Sequence, residues 1–302
     1  VMLTNGHSDP GTQMSSSMCL INTQPVYGIQ VDFVPNPPFL TGSGMQTTDL
    51  VDFSTWSVSS QHIGNTFTLL LFDNTLSNPI PPGYWYLGEV LLDILPGAPD
   101  AFTVDMGYGE MIISDSYNNP MVAAGLESEV YIGQPPVSYS IHNVMGDLTS
   151  GGTGSFEVHM TNTETVGTMS FEIADVPEYL TVTSVEALDR FSSGVIDPSS
   201  GEDSDGENFY FLGYDFAGGV PPGEGGIIKV NVIMNQNIDN PNVMLFFEDV
   251  SGGDAGANSI MAASQGLGLF NNSMLSTDLN TSIPSEYALK SNYPNPFNPM
   301  TF

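Results

Sequence analysis

The chain has 302 residues, with 34 Asp plus Glu against 3 Lys plus Arg and a formal net charge of -31, yet only 12% of its residues are charged. Arg190, Lys229 and Lys290 are the only strong cations, which excludes nucleic acid and anionic membrane surfaces as partners, because both need clustered basic residues. Apolar residues make up 40%, enough to bury a core, and no apolar run approaches the roughly 18 residues of a membrane-spanning helix.

With 32 Gly and 22 Pro punctuating stretches rich in Thr, Ser, Val, Phe and Tyr, the composition predicts strands joined by tight turns. The single cysteine, Cys19, rules out an intrachain disulfide and reads as a small buried apolar side chain. The chain opens on Val1 and reads as a mature or trimmed product without a signal peptide.

In chain order, strand-like runs fall at 13–21, 27–34, 66–72, 86–95, 101–106 and 110–114. A second set follows at 153–161, 168–174, 179–187, 208–215, 226–234 and 242–248. The two sets are copies. Shifting the sequence by 140 residues aligns Asn22 with Asn162, Val26 with Val166, Pro37 with Pro177 and Leu40 with Leu180. Pro81-Pro82-Gly83 aligns with Pro221-Pro222-Gly223 at the same offset, and Asp73 with Asp215 at 142. This ordered self-similarity predicts a tandem repeat: a first sandwich over 1–133, a short stiff linker at 134–136, a second sandwich over 137–272, and an extended tail over 273–302. The fold class is all-β, two antiparallel sandwiches with no helix longer than two turns.

The second copy carries SFEVHMTNTETVGTMSFEI at 155–173, YLTVTSVEALDRF at 179–191, FYFLGYD at 209–215, PPGEGGIIKVNVIM at 221–234 and GGDAGANSI at 252–260. This order of strands and loops resembles cohesin domains, the jelly-roll sandwiches of cellulosome scaffolds. The first copy resembles them less: its ISDSYNNPM at 113–121 fits the closing loop, while 41–63 departs from the pattern. The resemblance implies a jelly-roll fold and a scaffold role in which a dockerin-type helix pair is the partner. The tail, IPSEYALKSNYPNPFNPMTF at 283–302, resembles the opening of the sorting domain of type IX secretion, through Asn292, Tyr293, Pro294, Asn295, Pro296, Phe297, Asn298 and Pro299. That resemblance implies export to the outer cell surface or the extracellular space.

Chemistry-bearing clusters are few. Asp197, Glu202, Asp203, Asp205 and Glu207 place five carboxylates within eleven residues, with Gly201 and Gly206 for tight turns. Hard oxygen ligands on a pliable loop suit Ca²⁺, so Asp197, Asp203, Asp205 and Glu207 are candidate ligands; the competing reading is a solvated acidic loop. Glu248, Asp249 and Asp254 form a second acidic group that reads as a polar loop. Trp56 and Trp85, with Tyr84 and Tyr86, are candidates for a glycan platform if their rings are exposed, and for packing if they are not. His7, His62, His142 and His159 are scattered, and no nucleophile elbow, phosphate loop or dinucleotide fingerprint is present, which argues against an enzyme. Three readings therefore stand together: a secreted structural subunit that self-associates into a filament, sheath or surface layer; a cohesin-like scaffold module; and a carbohydrate-binding or adhesive module.

The acids divide as 13 in residues 1–133, 19 in 134–272 and 2 in the tail, so any assembly of these chains must be screened by salt or divalent cations. If the 197–207 loop holds Ca²⁺, EDTA lowers the melting temperature, and Asp203→Asn with Asp205→Asn removes that response; thermal unfolding with and without chelator checks it.

Overall fold

A computed structural model describes residues 1–147, 149–202, 208–235 and 242–271. The described residues are almost entirely β. Among them one single-turn 3-10 helix, Asp189–Phe191, interrupts the strands.

Each copy folds into two facing sheets. In the first copy one sheet has the order Met2–Leu3, Gln13–Asn22, Gly83–Ile94, Leu40–Thr47. The facing sheet runs Gly6–Ser8, Ser128–Ile132, Phe102–Ser114, Gly28–Asn36, Thr66–Asp73, Trp56–Ile63. In the second copy one sheet runs Leu180–Ala187, Gly223–Met234, Thr153–Asn162, Val137–Gly146, Ala262–Gln265. Its partner runs Val195–Ile196, Asn208–Tyr214, Thr168–Val176, Asn242–Gly253, Ser259–Ile260. Pairing between these strands is antiparallel with two exceptions. Gly6–Ser8 runs parallel to Ser128–Ile132, and Val137–Gly146 parallel to Ala262–Gln265, so an early strand and a late strand lie side by side in each copy.

Period-two alternation builds the cores. In Thr66–Asp73, Phe67, Leu69 and Leu71 point inward and are buried, while Thr66, Thr68, Leu70 and Phe72 face outward. The first core gathers Leu20, Val31, Phe33, Phe67, Leu69 and Val104 among others. The second is more aromatic: Phe171 stacks on Phe211 with ring centres 4.7 Å apart, and Tyr139 tilts against Phe171 at 5.4 Å. The buried Tyr139 hydroxyl donates to the Ser251 carbonyl at 3.0 Å, so that polar group is satisfied.

The 140-residue offset is visible in the geometry. Val26 bridges Ile80 as Val166 bridges Val220. Asn22 Nδ2 donates to the carbonyls of Gln24 and Pro81, as Asn162 Nδ2 does to those of Glu164 and Pro221. Bulges fall at Met18/Cys19 and at Val158/His159. Several strands carry no strong apolar alternation and do not stand out in the sequence: Leu40–Thr47, Trp56–Ile63, Ser128–Ile132, Val137–Gly146, Ala262–Gln265 and Gly268–Asn271. The runs at 101–106 and 110–114 are one strand, Phe102–Ser114, broken in register by a bulge opposite Val31/Phe33.

Buried carboxylates organise the loops. Asp73 accepts from the Thr75 amide at 3.0 Å, the Thr75 hydroxyl at 2.8 Å and the Asn78 amide at 2.7 Å. Asp215 accepts from the Ser193 hydroxyl at 2.7 Å and the Ala217 amide at 3.0 Å. Burial opposes the charge on Asp73, but the amides of Asn78 and Thr75 and the Thr75 hydroxyl outweigh it and hold the carboxyl well below its usual range. The Ser193 hydroxyl does the same for Asp215, against burial and with the amides of Ala217, Gly218 and Gly219. Both folded pKa values are depressed, so the stability these groups contribute is present above about pH 4, the unfolded value, and fades as pH falls through the folded one. Asp73→Asn, which turns an amide group toward N–H donors, should cost about 2 kcal/mol near neutral pH and flatten the loss of melting temperature below about pH 4, read by thermal unfolding across acid pH.

Candidate functional site

The candidate ligands of the acidic loop separate. Asp203, Asp205 and Glu207 lie outside the described residues. Asp197 is described and caps its own turn: its Oδ1 accepts from the Ser199 amide at 2.9 Å and the Ser199 hydroxyl at 2.7 Å, and these bonds hold its carboxyl below the usual range. Asp254 has a comparable task, accepting from the amides of Gly256 and Asn258 and from Asn258 Nδ2. Asp115 in the first copy makes the same three bonds, from the amides of Tyr117 and Asn119 and from Asn119 Nδ2. The closing loop is thus one hydrogen-bonded unit used twice. Among the described residues, no three His, Cys, Asp or Glu side chains are grouped closely enough to hold a metal ion. The tail residues Asn292, Tyr293, Pro294, Asn295, Pro296, Phe297, Asn298 and Pro299 also lie outside the described residues.

Both tryptophans are packed rather than displayed. Trp56 and Trp85 are 8% and 9% exposed, and their indole N–H groups donate at 2.8 Å to the carbonyls of Asn78 and Pro81. Alternation turns Tyr84 and Tyr86 to the opposite face of the strand from Trp85, where they pack at the junction of the two copies. These four residues therefore do not form an exposed glycan platform.

The place of Trp85 is informative. Its counterpart at the 140-residue offset is Gly225, and the space over Gly225 is taken by Arg190, whose Cδ lies 3.1 Å from where a Cβ would stand. Arg190 donates to the carbonyls of Met160 and Pro221 and to Asn162 Oδ1, at 2.6, 2.7 and 2.7 Å. Trp85 reproduces one of these bonds, to Pro81, the counterpart of Pro221. The acceptor matching Asn162 Oδ1 is Asn22 Oδ1, which is buried without a partner. One copy uses an arginine where the other uses an indole, and the exchange leaves that side-chain oxygen unpaired.

Two histidines that the sequence scatters are brought together. Across adjacent strands His142 and His159 stack with ring centres 4.2 Å apart, and His159 Nε2 meets Glu157 Oε2 at 3.1 Å. Burial first, then the neighbouring His159, lowers the pKa of His142 against the pull of Glu157. The signal is cross-strand register, His142 opposite Glu157 and Ser140 opposite His159, which no local spacing reveals.

The copies meet along a buried seam. Met2, Cys19 and Met244 are its buried centre, with Tyr84, Tyr86, Val176, Phe246 and Leu269 against them. Asn242 Nδ2 donates across it to the Tyr84 carbonyl at 3.4 Å. The 134–136 segment is docked: Pro135 is buried, the Gly133 amide donates to the Ser8 carbonyl at 2.7 Å, and the Thr163 amide to the Pro136 carbonyl at 2.9 Å. Beside the seam, Asp105, Glu127 and Glu129 of the first copy face Glu248 and Asp249 of the second around a cleft of about 290 Å³. Five carboxylates thus line a junction otherwise closed by apolar contact, and salt that screens them should favour its closed form.

No family model matches the sequence, and no curated protein matches it. Solved structures similar to the chain include several cohesins. A type II cohesin dyad from the adaptor ScaA scaffoldin of Acetivibrio cellulolyticus is 10% identical with a TM-score of 0.43, covering 88% of this chain and 96% of that one. A non-cellulosomal cohesin from Archaeoglobus fulgidus is 14% identical, TM-score 0.36, over 44% of this chain and 89% of its own. A type I cohesin–dockerin complex from Clostridium thermocellum gives 13%, 0.36, 45% and 92%. The strand order itself makes this an all-β chain of two tandem, mainly antiparallel sandwiches. No helix among its described residues is long and apolar enough to cross a membrane.

Cys19 reports on the seam. It is 1% exposed, and burial, with Glu89 nearby, pushes its thiol up to about 12. A maleimide reagent should leave Cys19 unmodified in the native chain and label it fully in denaturant; Met244→Asp, which places a charge in the seam, should expose it under native conditions.

Proposed function

We propose that this chain is a non-catalytic scaffold module of an exported, extracellular or cell-surface assembly. The observation that carries the proposal is the buried seam. Two copies joined by a flexible linker would act independently, whereas a docked linker and a shared apolar contact present both sandwiches at a fixed spacing. Such a body suits holding partners or neighbours in place.

The outer face of the first copy's larger sheet offers a surface for a protein partner. Phe72, 39% exposed, and the half-buried Leu70 are apolar neighbours on this face, and Gln30, which donates to Glu110, stands between Leu70 and the half-buried Ile112. A dockerin-type helix pair is the partner that the sequence resemblance implies. Export is supported by the resemblance of 283–302 to the opening of a type IX sorting domain. The structural-subunit reading is favoured by a separate observation, an unprotected sheet edge in the first copy.

The scaffold reading predicts that immobilised chain retains a dockerin-type protein from the exported fraction. Phe72→Glu with Leu70→Ser should lower retention at least tenfold without lowering the melting temperature by more than a few degrees. Retention unchanged by these substitutions would remove the face from the proposal.

A further inference from the structure

The strand Trp56–Ile63 ends the larger sheet of the first copy, hydrogen-bonded to Thr66–Asp73 on one side only. Its register is continuous over all eight residues, and it holds no bulge, no proline and no Asp, Glu, Lys or Arg. Sheet edges in natural proteins are usually blunted by one of those devices, because a bare row of N–H and C=O groups invites another strand. Here every residue from Val58 to Ile63 is exposed, Ile63 at 63%.

The equivalent edge of the second copy is closed. There the chain after Ala187 makes the 3-10 turn Asp189–Phe191 and two short pairings, Val195–Ile196 and Gly201–Glu202, laid along Asn208–Tyr214. The contrast extends to charge. From Phe53 to Phe72 the sequence holds no Asp, Glu, Lys or Arg, in a chain whose net charge is -31. Two such chains repel each other through their acidic surfaces, and this hairpin adds no charge of its own to that repulsion.

The geometry also sets which backbone groups are open. The hairpin turns through Gly64, at φ +61°, and Asn65, so Ile63 and Thr66 close the ladder. Ile63, Gln61, Ser59 and Ser57 then pair inward, consistent with the Asn74 amide donating to the Thr55 carbonyl. Val58, Ser60 and His62 turn their N–H and C=O groups to the open side.

We propose that Trp56–Ile63 pairs antiparallel with the same strand of a second copy of this chain, about a two-fold axis at Ser60. Ser60 then faces its own copy, and Val58 faces His62. On the other face Ser59 meets Gln61, and Ser57 meets Ile63. No carboxylates are opposed, and the two larger sheets become one continuous sheet. The pairing deepens the assembly reading and rests on it; a monomer that still retains a partner would overturn the pairing and leave the scaffold proposal standing.

The test is the mass of the full chain in solution, by sedimentation or light scattering over a wide concentration range at moderate salt. The expected result is a concentration-dependent dimer. Ser60→Pro removes an outward N–H, and Ser60→Lys opposes two charges at the axis; each should raise the dissociation constant at least tenfold while leaving the melting temperature near that of the parent. Ser60→Cys should form a covalent dimer under oxidation or with a short bis-maleimide, with Cys19 buried and silent. A chain monomeric throughout, a dimer indifferent to both Ser60→Pro and Ser60→Lys, or a Ser60→Cys dimer that neither treatment cross-links would each overturn the proposal.

Discussion

Carboxylates in this protein are held by neutral donors rather than by cations, and the loop architecture depends on it. With three strong cations in the whole chain, ion pairing is not available as a general device. Among the described residues the short ion contact is made by a histidine, His159 with Glu157. Asp73, Asp115, Asp215 and Asp254 instead collect backbone amides, hydroxyls and side-chain amides at the turns. At the buried Asp73 and Asp215 the magnitudes favour this arrangement. A hydrogen bond to a charged group contributes about 1.5–3 kcal/mol, whereas an exposed ion pair contributes about 0–1 kcal/mol. An acidic chain can therefore fix its loops firmly without adding a single lysine.

The parts of the fold legible in the sequence are those where the backbone makes a particular demand. Asn22 and Asn162 tie the same two carbonyls in each copy, and Pro81-Pro82-Gly83 recurs at the same turn, so the 140-residue offset survives where side chains elsewhere diverge. Runs with strong alternation, such as 66–72, are equally clear. Trp56–Ile63 is not legible, because an edge strand largely open to solvent needs few apolar residues. The stacking of His142 on His159 escapes for a different reason, since partners across a sheet are set by register and not by spacing along the chain. Trp85 admits two readings until its burial and its bond to Pro81 decide for packing. Of the candidate calcium ligands, Asp197 is described, and its Oδ1 accepts two bonds within its own turn, a local use that residue type and spacing do not distinguish from metal ligation.

The two copies share one framework and solve the same local problem differently. Arg190 over Gly223 and Gly225 in one copy, and Trp85 in the other, fill one space over the same pair of strands. The copies also differ at their edges, closed in the second and open in the first. The seam between them joins apolar centre and acidic rim, so attraction by burial and repulsion by charge are set against each other at the same junction.

The position of the tryptophans has a spectroscopic consequence. The chain has two, Trp56 and Trp85, both packed within the first sandwich, and the second sandwich has none. Intrinsic emission excited at the red edge of absorption therefore follows the first sandwich alone, while circular dichroism follows the strands of both. Comparing the two signals during heating shows whether the halves melt as one unit, without adding a dye.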